Sequence, residues 1–94
     1  MMYPFMTLDD STEIVHSETL KDGTVKVYIE KPDKNDCFHH MTVYLPTYKI
    51  AEITGFNDNE VKRYMDIIHS TAHLIIQFAA EQIVSPRYSQ VFLS

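Results

Sequence analysis

Glycine, cysteine, basic residues and uninterrupted apolar sequence are all scarce in this chain, and each scarcity removes a class of function. With 2 Gly in 94 residues, there is no glycine-rich loop to wrap backbone N–H groups around a phosphate. Cys37 is the single cysteine, so no intrachain disulfide can form and a reducing, cytoplasmic compartment is expected. No stretch approaches the roughly 18 apolar residues that cross a bilayer, and residues 1–10 lack the basic flank and apolar run of a signal peptide. No membrane association is expected. Lys and Arg number 8 against 13 Asp and Glu, a formal charge of −5. That balance disfavours a broad phosphate-binding surface, so nucleic acid is not the expected partner. The sequence carries no nucleophile elbow and no carboxylate pair marked by spacing, and nothing supplies Cys37 with a base and an orienting group. No catalytic residue and no cofactor is assigned, and an enzyme is not expected.

What is present is a chain able to fold. Its hydrophobic content is 45%, and one domain of this length, residues 1–94, buries about 60 to 65% of its unfolded surface. Residues 12–20 and 24–31 read as strands, the second alternating Val25, Val27 and Ile29 with Lys26, Tyr28 and Glu30. The Asp22-Gly23 pair between them signals a hairpin, since glycine accepts the positive φ of a tight turn. Residues 31–36, with Pro32, are excluded from a strand interior because proline has no N–H to donate. Residues 38–45 form a third strand, with His39, Met41, Val43 and Leu45 on one face and Phe38, His40, Thr42 and Tyr44 on the other. A fourth strand over residues 3–8 has a weaker signal. The fold expected is α+β: a small antiparallel sheet of about three strands, a hairpin plus a third strand, packed by a short helix and one long C-terminal helix.

The short helix is read from residue 47 to Gly55 and the long one from about residue 58 to 84. Asn57, Asp58 or Asn59 can cap the long helix, and Asp58 and Glu60 suit its positive end. At about 100° per residue, Val61, Met65, Ile68, Ala72, Ile75, Ala79 and Ile83 line the stripe expected to dock on the sheet. Ile67, Thr71, Leu74 and Phe78 form a second ridge, widening the apolar sector to roughly 200° against the roughly 100° of a one-sided helix. Either residues 3–8 or the tail around 88–93 folds over that ridge, or two copies pack there. The second reading is adopted, which makes Ile67, Leu74 and Phe78 the expected interface of a homodimer. Ser85-Pro86 ends the helix, and residues 85–94 are read as a flexible or partner-docked tail.

Two alternatives compete. Ile50-Ala51, Gly55-Phe56, Val61 and Arg63-Tyr64 resemble a bacterial helix-turn-helix signature over residues 50–65. That reading makes the protein a DNA-binding regulator with Lys62 and Arg63 as its contacts. Against it stand the acidic or neutral residues 57–60 at the head of the reading helix and the net negative charge. The other alternative is a small metal-binding protein. Cys37 and His39 sit at a loop-to-strand boundary, and His69 and His73 lie one helical turn apart, the spacing at which two imidazoles grip one zinc. Against it, His39 and His40 are adjacent on a strand and point to opposite faces, and His69 and His73 border the solvated side of the helix. No metal site is assigned.

Residues 2–10, Val25 to Pro32, Tyr44-Leu45-Pro46, Gly55-Phe56 and Ser70 to Ile76 resemble a set of short bacterial proteins containing a domain of unknown function, over about residues 2–82. The resemblance implies a bacterial or mobile-element accessory protein and assigns no activity and no functional residues. The function expected is therefore a non-enzymatic binding or regulatory role, antitoxin-like or inhibitor-like, exercised through self-association and an acidic surface that suits a basic protein partner.

Overall fold

The computed structural model describes residues 2–8, 11–33 and 37–81, the side chains of 33, 37 and 38 excepted. It has strands β1 (Met2–Thr7), β2 (Glu13–Ser17), β3 (Val25–Asp33), β4 (Cys37–Leu45) and β5 (Lys49–Thr54), followed by the helix α1 (Asp58–Glu81). The strands form one antiparallel sheet in the order β1-β2-β3-β4-β5, and α1 covers one of its faces. The α+β class with a long C-terminal helix is as expected, but the sheet has five strands.

The expected hairpin is present. Gly23 adopts φ 85, and Asp22 Oδ1 accepts hydrogen bonds from Thr24 N at 3.0 Å and Thr24 Oγ1 at 2.6 Å. The turn is thus closed by an aspartate side chain as well as by glycine's backbone freedom. Both bonds hold the Asp22 carboxyl below its ordinary pKa, the side-chain bond most strongly. Alternation then carries Val25, Val27, Ile29, Met41, Val43 and Leu45 to the helix-covered face, where all are buried.

Pro32 does not end β3. The strand continues to Asp33 with Pro32 opposite Phe38, because β2 has its last partner on β3 at Glu30. Beyond that point the β2-facing side of β3 is an edge, and the N–H that proline lacks interrupts no ladder.

The short helix is not formed either. Residues 49–54 pair with β4 as strand β5, with Val43 opposite Ile50 and Thr42 opposite Glu52, leaving Ala51 as the extra residue of a bulge. That insertion puts Ile50 and Ile53 on the same face, three residues apart, which imitates helical spacing. So short a segment has little helical stability of its own, whereas β4 satisfies its backbone. A second bulge lies at Phe5, between the Pro4–Val15 and Met6–Ile14 pairs, and it weakened the signal of β1 in the same way.

The helix starts at a reciprocal cap. Glu60 N donates to Asn57 Oδ1 at 2.9 Å, and Asn57 N donates to Glu60 Oε1 at 3.0 Å. Its buried residues are Tyr64, Ile68, Thr71, Ala72, Ile75, Phe78 and Ala79. The docking face therefore lies between the two stripes read from the sequence. Val61 and Met65 flank it on one side and Ile67 and Leu74 on the other, all partly buried and packed against the core. Ile83 lies outside the described residues. Tyr64 OH sits 3.2 Å from Thr12 Oγ1, tying the helix to the start of β2.

Candidate interaction surface

Of the three residues expected to join two copies, one is buried within the chain and two are half-buried. Phe78 is buried, its ring 6.2 Å from that of Phe5 on β1, while Ile67 and Leu74 are half-buried against the core. Part of the apolar width of the helix is thus met by Phe5 of β1, the strand with the weaker sequence signal.

The histidines do not converge. His39 lies on the helix-covered side of β4 at the Gly55 end, its ring edge-on to Phe56 at 5.7 Å. His69 stacks on Tyr48 at 3.9 Å, beyond the opposite end of β4, roughly 20 Å along the strand at about 3.4 Å per residue. His73 is exposed and His40 is on the other face of the sheet. Among the described residues no three His, Cys, Asp or Glu side chains are placed to hold one ion, and the Cys37 side chain lies outside them. Tyr48 adopts φ 61, so the stack on His69 holds a left-handed turn residue against the helix.

The segment before Gly55 is strand rather than helix, so the first helix of a helix-turn-helix is missing. Lys62 and Arg63 are exposed on α1, and the Arg63 guanidinium lies 5.7 Å from the Tyr64 ring centre, a cation–π contact within its own helix.

What remains is the face of the sheet that α1 leaves open. Ladder partners place Glu13, Glu30, His40 and Thr54 in a row at one end. The middle row is Pro4, Val15, Tyr28, Thr42 and Glu52. Lys26, Tyr44 and Lys49 form the row at the other end. Pro4, Val15, Tyr28, His40 and Tyr44 are half-buried, with no covering layer among the described residues. Glu13 and Glu30 thus lie at one end and lysines at the other, with apolar and aromatic groups in the middle and Glu52 at the β5 edge of that middle row.

These groups are organised. Tyr28 stacks on His40 at 5.9 Å and donates its hydroxyl to Glu30 Oε1 at 3.0 Å. His40 Nδ1 is 2.9 Å from Glu52 Oε1, an ion pair when the imidazole is protonated. Burial first, then the Glu30 bond and the charges of Glu30 and Glu52, raise the Tyr28 pKa, so its hydroxyl stays a donor. The period-two alternation had already put His40, Thr42 and Tyr44 on one face. Their importance emerges only when a single helix is seen to cover the opposite side.

No protein family, no curated protein and no solved structure matches this chain. Among the described residues no helix is long and apolar enough to cross a membrane.

Proposed function

We propose that this protein is a non-enzymatic binding and regulatory protein that acts by protein–protein contact through the open face of its sheet. The observation that carries the reading is the half-buried set of Pro4, Val15, Tyr28, His40 and Tyr44 on a face that no layer covers among the described residues. Large aromatic and apolar side chains ringed by charge are the composition of an interface core and rim. At the Glu13 and Glu30 end, with Glu52 one row away on β5, the face suits a basic surface, in keeping with the chain's charge of −5. An antitoxin-like or inhibitor-like role is the functional analogy, and it rests on small size and acidity.

Footprinting of tyrosine side chains by hydroxyl radicals tests the surface. Dilute purified protein is compared with the same protein in extract of its native cells. Tyr28 and Tyr44 are expected to lose reactivity in the extract. Unchanged reactivity there, with protection appearing on the exposed flank of α1 instead, would move the function to another surface.

A further inference from the structure

We infer that β1 is an acid-released strap: a proton taken up by His16 detaches β1 while β2 to β5 and α1 stay folded, and Phe78 on the helix is uncovered. The device lies on the helix-covered side and is independent of what meets the open face.

His16 is held in a place that suits only its neutral form. The side chain is fully buried, with Tyr3 stacked on it at 5.7 Å and Phe5 edge-on at 6.3 Å, both from β1. Nδ1 donates to the Ser17 carbonyl oxygen, so a second proton goes to Nε2. That atom is buried and has no hydrogen-bond partner among the described residues. The groups that face the imidazole are the Tyr3 phenol from β1, Val27 from β3 and the buried face of α1, which carries no charged residue. Glu18 lies two residues on along the chain, yet the influences on the imidazole are burial and the Ser17 bond, with no charge among them. An unpaired buried cation costs more than a cation–π contact with the Tyr3 ring returns. Protonation therefore favours whatever opening brings water to Nε2.

The element that gives way is β1. It is an edge strand that pairs only with β2, and its ladder is interrupted by the bulge at Phe5. Detaching it breaks one ladder and lifts both Tyr3 and Phe5 from the imidazole. β2 stays paired with β3 on its other side, and α1 keeps its packing on Val27, Ile29, Met41 and Val43 of the core. Local openings of this kind lie below global unfolding in free energy. With Phe5 gone, Phe78 loses the ring 6.2 Å away that covers it, and it faces water beside the half-buried Leu74 and Ile67. The apolar ridge is thus closed above about pH 6.5 and opens more readily as pH falls below it.

Backbone amide hydrogen exchange followed by NMR, between about pH 5 and 7.5 and in a series of low urea concentrations, tests this on the full chain. Amides of the β1–β2 ladder are expected to be less protected than those of the β3–β4 ladder and to respond less to urea, as a local opening does. Below about pH 6.5 their protection factors should fall by up to about tenfold per pH unit, and in His16→Phe they should stay constant. If the two ladders share one protection factor and one urea dependence at every pH, β1 leaves only with the whole fold and the inference is overturned. Protection that acid does not change in the wild type overturns it too, as does an equal fall in His16→Phe. Should that variant not fold, the wild-type His16 ring protons take its place. Their titration in step with the loss of β1–β2 protection supports the strap, and titration with no such loss rejects it.

Discussion

Phe5, the bulged residue of β1, packs its ring 6.2 Å from that of Phe78 on the last turns of α1. The contact makes one core out of a helix whose apolar sector is wider than one flat sheet covers. The bulge turns Phe5 inward beside Met6, so that consecutive residues both pack against the core. Replacing Phe5 by alanine leaves a cavity under Phe78 and is expected to destabilise the protein by roughly 3 to 5 kcal/mol. Urea unfolding measures this. A loss below about 1 kcal/mol, the range of a surface substitution, would mean that the Phe5–Phe78 contact is not part of a tightly packed core.

The parts of the fold legible in sequence are those where period and chemistry agree. Val25, Val27 and Ile29 alternate without interruption, Asp22-Gly23 supplies the turn, and Asn57 with Glu60 supplies the cap. Where they disagree, a bulge is the cause. Ala51 shifts Ile53 into the register of Ile50, and Lys49 to Thr54, mixing helix formers with β-branched residues, then reads as a helical turn. The candidate surface was half legible. His40, Thr42 and Tyr44 were placed on one face, but its openness depends on how many layers cover the sheet, which alternation alone does not encode. The separation of the histidines is likewise tertiary, because it depends on how α1 lies over the sheet.

Gly55 joins β5 to α1 at φ 87, and a Cβ added there would be driven into the His39 ring. Two independent penalties follow for Gly55→Ala, the left-handed backbone and the overlap. The expected loss is about 1 kcal/mol for the conformation, plus a steric part that depends on how far His39 moves. A double-mutant cycle with His39→Ala separates them. The second change should return the steric part and leave the conformational one. Additive losses in urea unfolding would show that the two residues do not meet.

His16 is expected to make stability fall as the solution is acidified. It is fully buried on the helix-covered face, between Tyr3 at 5.7 Å and Phe5 at 6.3 Å. Its Nδ1 lies 2.8 Å from the Ser17 carbonyl oxygen. A carbonyl only accepts, so Nδ1 carries the proton and Nε2 is the bare nitrogen, which has no hydrogen-bond partner among the described residues. Burial lowers the pKa from its ordinary 6.5, and the Ser17 bond offsets this only in part. The folded chain therefore binds its proton at lower pH than the unfolded chain. Above pH 6.5 neither form is protonated and the group contributes no pH dependence. As pH falls through about 6.5, the unfolded state takes up the proton first and stability drops, by at most about 1.4 kcal/mol per pH unit, until the folded pKa is reached. Urea midpoints measured between about pH 5 and 7, a window above the ordinary carboxylate range, should fall with acid in the wild type and lose that slope in His16→Phe. An equal slope in both would assign the acid sensitivity to other groups and leave His16 a neutral member of the core.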